Sequence, residues 1–161
     1  MDGVEIRNVK IDSRRSENVD WHDPFNMSGF NTDGIDVSGR NVHIHHCDIW
    51  NQDDTIAVKE CNAGGRCRTA CSENMLIENN NLSGVGASIG SIRSDKDHVC
   101  VRNITFRNIH MHHTFKGIYW KIFIKRVQNR FCYLISVLIF LIYQVQTRRW
   151  NRKWSWNWRG H

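Results

Sequence analysis

Three aspartates on two short motifs have the residue types and spacing best suited to acid–base chemistry. The motifs are Asn31–Asp36 and Gln52–Val58, and each places carboxylates where a turn enters a short, alternately apolar strand. Because neighbouring strands of one sheet lie about 4.8 Å apart, acids at the start of successive strands can converge on one small volume. Converging carboxylates are the minimum set for cleaving a glycosidic bond by acid and base. Asp33, Asp53 and Asp54 are therefore the candidate catalytic residues.

An asparagine followed by alternating apolar residues recurs four times along the chain. The copies are anchored at Asn8, Asn41, Asn74 and Asn103, at intervals of 33, 33 and 29 residues. Each copy is predicted to form a half-buried strand, and a strand unit repeating at about 30 residues is typical of a solenoid. Asparagine suits a coil corner because it tolerates the left-handed bend and can bond to the backbone.

The segments between these copies form a second repeating set, at residues 34–37, 55–58, 87–90 and 117–121. We expect them to stack as a second ribbon, with one strand from each coil. A meander of antiparallel strands with asparagine turns is the alternative. The sequence thus favours an all-β parallel β-helix over residues 1–121.

Charge divides the chain into a body and a tail. Residues 1–121 contain 16 acids and 14 Lys/Arg, a net charge of −2, whereas residues 122–161 contain 8 Lys/Arg and no acid, a net charge of +8. Nothing shapes the basic tail for reading bases, so no nucleic-acid partner is predicted. We interpret residues 122–161 as a tail of unrelated composition, helical or disordered.

The apolar run at residues 131–143 is the strongest membrane signal in the chain. Its 13 residues fall short of the roughly 17 that a spanning helix requires, although basic residues flank it on both sides. Membrane association through this run is retained only as an alternative.

Six cysteines bear on the cellular compartment. Cys61, Cys67 and Cys71 crowd one loop, which favours disulfides in an exported protein. We expect one loop disulfide and a spare thiol there, rather than zinc ligands. The first residues lack the regions of a signal peptide, so the protein is either intracellular or exported with a longer N-terminus. An extracellular location is preferred.

Two histidine clusters raise the question of a metal site. The clusters are His43–His46 and His110–His113, and His43 and His45 would project from one face of a strand. We interpret these histidines as exposed strand positions, so no metal site is predicted. No nucleotide, flavin or haem motif is present, and no cofactor is expected.

Taken together, four blocks resemble family 28 of the glycoside hydrolases, the polygalacturonases and rhamnogalacturonases. The blocks are Asn31–Gly34, Asp53–Asp54, Gly84–Ser91 and Gly117–Lys121, which follow the order found in the family. The resemblance covers residues 1–121 and implies a right-handed parallel β-helix. The chain would be a truncated, partly divergent member, with an incomplete β-helix and a non-homologous basic and hydrophobic tail.

The resemblance also implies roles for individual residues. The family hydrolyses the α-1,4-galacturonan backbone of pectin, or a related glycan, with inversion. Asp53 would be the general acid, while Asp33 and Asp54 would hold and deprotonate the attacking water. Lys121 would bind a substrate carboxylate. The remaining substrate-binding positions would be Tyr119, Asn31, Gly86 and Ser88.

Two positions depart from the polygalacturonase pattern. Val85 replaces a histidine in the third block, and Tyr119 replaces an arginine in the fourth. Loss of the arginine removes a bidentate grip on uronate, which points to rhamnogalacturonan or another pectic glycan. The predicted partner is an acidic plant-type polysaccharide, bound by a monomer. A catalytically silent β-helix that binds acidic glycan, or a non-functional gene product, is the alternative.

Overall fold

A computed structural model of the chain describes residues 1–15, 29–61, 71–93, 99–123, 133–139 and 144–146. In these residues the regular elements are all strands. In chain order they are β1 (Asp2–Arg7), β2 (Lys10–Asp12), β3 (Ile35–Val37), β4 (Arg40–His45), β5 (Asp48–Trp50), β6 (Asp54–Val58), β7 (Ser72–Gly84), β8 (Gly86–Arg93), β9 (Val99–Thr114), β10 (Ile118–Phe123), β11 (Tyr133–Ile139) and β12 (Gln144–Gln146).

The strands form two parallel sheets. In the larger sheet, β1, β4, β7 and β9 are successive neighbours, while β2 and β5 continue the first two coils. The smaller sheet has the order β10-β8-β6-β3. Since the chain alternates between the sheets and the pairings are parallel, the predicted parallel β-helix is confirmed and the antiparallel meander is wrong.

The smaller sheet is the second ribbon that the sequence predicted. Ile35 pairs with Ile56, Ile56 with Ala87, and Ala87 with Ile118, so one column of apolar residues crosses all four strands. Ile56 and Ala87 are fully buried. This ribbon sets the coil spacing at the edge where the aspartates lie.

The larger sheet contributes the other half of the core. Ile44, Ile77 and Phe106 stand in register on three successive coils and are completely buried. Burial of each such side chain stabilises the fold by about 1.5–3 kcal/mol. The two sheets therefore pack against each other through one shared apolar core.

Asparagines occupy one corner of the coil, as predicted. Asn41, Asn74 and Asn103 have φ values of 56°, 54° and 52°. The side-chain amide of Asn74 donates to Asn41 Oδ1 (3.3 Å), and that of Asn103 donates to Asn74 Oδ1 (2.8 Å). Left-handed geometry and the amide ladder together explain why asparagine keeps this position.

The first copy of the repeat lies at a different corner from the one predicted. The pairing of β1 with β4 puts Gly3, not Asn8, beside Asn41. Asn8 instead donates its N–H to His45 O (3.3 Å) and belongs to a second left-handed column. That column contains Asn8, His46, Asn79 and Asn108. The first interval of 33 residues therefore joins two different corners, since the left-handed residues recur five positions apart within each coil.

A disulfide between Cys71 and Cys100 links neighbouring coils, with Cα atoms 4.6 Å apart. The sequence analysis expected one disulfide and one free thiol among the three loop cysteines, and it did not predict the bond between Cys71 and Cys100. Cys61 is also disulfide-bonded, whereas Cys67 lies outside the described residues. Among the described cysteines, Cys47 is free and buried.

Two segments of the tail adopt strands where helix or disorder was expected. Tyr133–Ile139 and Gln144–Gln146 pair in parallel with β9. Isoleucine, valine and tyrosine favour such a strand, and β9 offers an open edge for pairing. The rest of residues 124–161 lies outside the described residues, and the boundary at residue 121 stays a prediction. In the described part of the chain, no helix has the length and apolar character needed to cross a membrane.

Candidate active site

The three aspartates lie at one edge of the smaller sheet. Asp33 precedes β3 by two residues, and Asp53 immediately precedes Asp54, the first residue of β6. β3 and β6 are parallel neighbours, and the N–H of Gly34 donates to the carbonyl of Asp54 (3.0 Å). The two motifs are therefore held side by side by the backbone.

Gly34 permits this close approach. A Cβ atom at this position would lie 2.4 Å from the carbonyl oxygen of Thr55 and 2.6 Å from Cγ2 of Ile49. Both distances are far below van der Waals contact. Any larger residue after Asp33 would push the two aspartate turns apart, which explains the glycine in the Asn31–Gly34 motif.

Asp54 is completely buried and is bound by side chains from the next two coils. Its Oδ2 accepts hydrogen bonds from Ser88 Oγ (2.9 Å) and Lys121 Nζ (3.3 Å), and its Oδ1 accepts one from the Tyr119 hydroxyl. Register explains this convergence, because Tyr119 and Ser88 are paired residues of β10 and β8. Three of the predicted substrate-binding residues thus contact a predicted catalytic residue.

Asp53 is oriented by backbone groups instead. Its Oδ2 accepts the N–H of Asn31 (2.8 Å) and its Oδ1 accepts the N–H of Asp54 (2.8 Å). Asn31 adopts a left-handed conformation with a φ of 59°, and its side chain is exposed. In this structure Asn31 therefore positions Asp53 through its main chain.

Asp33 is the aspartate whose ionisation is most perturbed. Burial, followed by the charges of Asp53 and Asp36, raises the pKa of Asp33 to about 7. Lys59 Nζ lies 3.8 Å from Asp33 Oδ2 and opposes the shift, but does not cancel it. Asp33 therefore retains its proton at mildly acidic pH and becomes a base only near neutral pH.

Tyr119 acts as a neutral donor in this cluster. Burial and its hydrogen bond to Asp54 raise the pKa of Tyr119 above the usual value for a phenol. The charges of Asp53 and Asp33 act in the same direction, which places all three aspartates within electrostatic reach of the hydroxyl.

Asn51 has a structural role that sequence reasoning missed. Its side-chain nitrogen lies within hydrogen-bonding distance of the carbonyl oxygens of Thr32 (3.0 Å), Asp53 (2.9 Å) and Asp54 (2.8 Å). Asn51 thereby links the turn that contains Asp33 to the turn that contains Asp53 and Asp54, and we call this arrangement the Asn51 clamp. A Cβ atom at Gly84 would lie 2.4 Å from Asn51 Oδ1, so the glycine of the third block makes room for this clamp.

Gly86 and Val85 lie beside the acids without presenting a polar side chain to them. A Cβ atom at Gly86, whose φ is +133°, would lie 2.4 Å from the carbonyl oxygen of Gly117, so this glycine admits the next coil. The N–H of Val85 donates to the carbonyl of Asp53 (2.9 Å). The residue that replaces the family histidine therefore flanks the predicted general acid.

Two lysines supply positive charge at the edge of the smaller sheet where the aspartates lie. Lys121 contacts Asp54, and Lys59 lies 3.4 Å from Asp36 as well as near Asp33.

A candidate metal site lies on the other sheet. Among the described residues, one group has ligand atoms close enough together to hold a metal ion, and it consists of Glu5 on β1 with His43 and His45 on β4.

Comparison with known proteins places these features in a family. The model of glycosyl hydrolases family 28 matches residues 1–128. The chain is 37% identical over 87 residues to rhamnogalacturonase A of Emericella nidulans, which covers 53% of this chain and 14% of that protein. It is 34% identical over 101 residues to polygalacturonase of Saccharomyces cerevisiae, covering 62% of this chain and 25% of that protein.

A third relative is a probable rhamnogalacturonase B of Aspergillus oryzae, which is 38% identical over 80 residues, covering 48% of this chain and 12% of that protein. No solved structure matches the chain. The chain spans a quarter or less of the length of these relatives. The family match extends over most of the chain, including all four blocks that contain the aspartates and their contacts, so this chain belongs to family 28 of the glycosyl hydrolases.

Proposed function

We propose that this chain contains the catalytic centre of an inverting hydrolase that cleaves α-1,4-galacturonan or a related pectic polysaccharide. The observation that carries the proposal is the convergence of Asp33, Asp53 and Asp54 at one edge of the smaller sheet. Membership of the family and its similarity to proteins named rhamnogalacturonase and polygalacturonase support the same chemistry.

In the proposed mechanism, Asp53 donates a proton to the departing glycosidic oxygen. Asp33 and Asp54 hold a water molecule on the opposite face of the sugar and accept its proton as the new C–O bond forms. An inverting site needs about 6.5–9.5 Å between acid and base to admit this water. Burial, and after it the charge of Asp53, raises the pKa of Asp33 to about 7, so Asp33 becomes able to accept a proton from water as the pH approaches neutrality.

Tyr119 and Lys121 favour a substrate that alternates neutral and acidic sugars. Lys121 supplies one positive charge, whereas Tyr119 supplies a neutral hydroxyl in place of the family arginine. The ammonium of Lys121 suits a uronate carboxylate, and the phenol that replaces the arginine suits a neighbouring sugar without charge. We therefore propose a rhamnogalacturonan-type backbone as the preferred substrate, with an acidic polysaccharide as the only partner of a monomeric enzyme.

The burial of Asp54 favours a second candidate function. Its side chain is 0% exposed and accepts three hydrogen bonds, from Ser88, Tyr119 and Lys121. Its lone pairs are therefore largely occupied before any water arrives. In this alternative the chain binds acidic glycan without cleaving it, and Tyr119 is the residue that silences Asp54.

An assay of reducing sugar released from polygalacturonan and rhamnogalacturonan separates the two candidates. The hydrolase proposal predicts release by the parent chain and a loss of at least about a hundredfold in Asp53→Asn, because general acid catalysis contributes roughly 10²–10⁴-fold. Equal release by both proteins would refute it. Glycan binding without release, followed by release from a Val85→His/Tyr119→Arg variant, would support the silent-binder alternative.

An extracellular location forms part of the proposal. The Cys71–Cys100 disulfide joins neighbouring coils, and such bonds form and persist in oxidising compartments. Pectic polysaccharides lie outside cells, so the compartment and the proposed substrate agree. Non-reducing and reducing mass spectrometry of protein recovered from the medium of its source would test the oxidation state.

A further inference from the structure

We propose that Glu5, His43 and His45 form a binding site for a divalent transition-metal ion on the outer face of the larger sheet. The three residues come from two neighbouring coils, β1 and β4, and β1 pairs in parallel with β4. One ligand atom from each residue lies within 4.8 Å of the other two. The site is separate from the aspartates, which lie on the smaller sheet.

The stacking of coils creates this arrangement. Glu5 and His43 are paired residues, and His45 follows two positions later on the same face of β4. His45 Nε2 lies 2.9 Å from Glu5 Oε1. Two ligands of one tetrahedral zinc ion lie about 3.3 Å apart, given bonds of about 2.0–2.1 Å. This pair therefore already has nearly the spacing that a shared metal ion would impose.

The two imidazoles lie side by side and are partly buried. Their ring centroids are 4.1 Å apart with an interplanar angle of 28°. The strand holds both residues on one face, but the lone pair of each ring nitrogen lies in the plane of its ring, so one of the stacked rings has to rotate for both nitrogens to face one ion. Glu5 can also adapt, because its side chain is 55% exposed and can close on the ion.

Each histidine also contacts a neighbouring polar side chain through a ring nitrogen. His43 Nε2 lies 2.9 Å from Glu78 Oε1, and Arg107 in turn donates to Glu78 Oε2 (2.7 Å). His45 Nδ1 lies 2.7 Å from His46 Nδ1. A carboxylate that accepts the second ring N–H of a metal-bound histidine orients the ring and strengthens the ligand. Glu78 can fulfil that role for His43.

The donor set selects the class of metal. Two imidazole nitrogens and one carboxylate favour Zn²⁺, Cu²⁺ or Ni²⁺, whereas Mg²⁺ and Ca²⁺ prefer sites built wholly from oxygen. The ion would join the first and second coils across the outer face. The sequence alone indicated exposed histidines, because Glu5 is far from them in the chain.

Titration of the untagged full chain with zinc chloride, followed by calorimetry, tests the site. We expect one zinc ion per chain, with affinity reduced at least about tenfold in His45→Gln and in Glu5→Gln. His110→Gln is the matched control, because it removes a histidine from the outer face of β9, and its affinity should equal that of the parent. Calcium chloride should give no binding heat at the same concentrations.

A cobalt titration supplies a second readout. Visible absorption of bound Co²⁺ reports ligand geometry, and its spectrum should be lost in His45→Gln but kept in His110→Gln. Absence of zinc binding by the folded parent chain would overturn the proposal, as would equal affinity in all three variants. If His45→Gln does not fold, as judged by circular dichroism, Glu5→Gln decides the question, because Glu5 is half-exposed on an edge strand.

Discussion

Replacing Asp33 by asparagine should stabilise the fold at alkaline pH while abolishing hydrolysis. The folded protein raises the pKa of Asp33 from 3.8 to about 7. Between these values the folded state keeps a proton that the unfolded state releases, so the parent protein loses stability as pH rises from about 4 to about 7. Asparagine has nearly the same shape and no charge, so the variant avoids this loss.

The size of the effect follows from the pKa shift. A shift of about 3 units corresponds to roughly 4 kcal/mol at about 1.4 kcal/mol per unit. The side chain is 25% exposed, and solvent screening reduces the value to about 2 kcal/mol. The free energy of unfolding of Asp33→Asn, relative to the parent, should therefore increase by about 2 kcal/mol between pH 4 and pH 8.

Urea unfolding of the full chain at pH 4 and pH 8 measures this change, and linear extrapolation yields both free energies. Asp48→Asn is the matched control, because Asp48 is an exposed residue of β5 outside the aspartate cluster, and a change of the same size in this variant would show that the effect is not specific to Asp33. A relative stability of Asp33→Asn that is the same at both pH values would refute the electrostatic coupling. A relative stability that falls between pH 4 and pH 8 would show that Asp33 is stabilised as an anion.

Three further predictions concern contacts between coils. Tyr119→Phe removes a donor from the buried carboxylate of Asp54 and should lower the free energy of unfolding by about 1–3 kcal/mol; an unchanged urea midpoint would show that the hydroxyl makes no net contribution. Cys100→Ser opens a disulfide that spans 29 residues and should lower the free energy of unfolding by about 3–4 kcal/mol; a melting temperature equal to that of the oxidised parent would contradict this expectation. Asn74→Ala should cost about 1–2 kcal/mol more than Asn74→Gly, because only alanine resists the left-handed conformation; equal costs, measured by urea unfolding, would contradict this reasoning.

The candidate site could be located from sequence because its acids sit at the starts of strands. Alternation at Ile35 and Val37, and again at Ile56 and Val58, identified two strands, and the register of β3 and β6 brings their leading turns together. Strand period and turn residues are local properties, which a linear sequence expresses directly. The identity of the groups that bind Asp54 was not local, since Ser88 and Tyr119 come from other coils.

The misplacement of Asn8 shows the limit of periodicity. An interval of 33 residues matched the next copy of the repeat, yet the register of β1 and β4 puts Gly3 in that position. Either left-handed corner accepts asparagine or glycine, so residue type alone does not distinguish them. The interlocking of apolar side chains inside the coil settles the choice, because a slip would turn Val4 and Ile6 outward.

Sequence by itself therefore determined the two ribbons, the asparagine corner and the aspartate motifs, because these depend on neighbouring residues and on backbone preferences. Tertiary structure alone decided the clamp by Asn51, the Cys71–Cys100 bond and the meeting of Glu5 with the two histidines. Each of these depends on which residues of successive coils stand opposite one another. That alignment is set by packing throughout the core and by the path between strands, and no short stretch of sequence contains it.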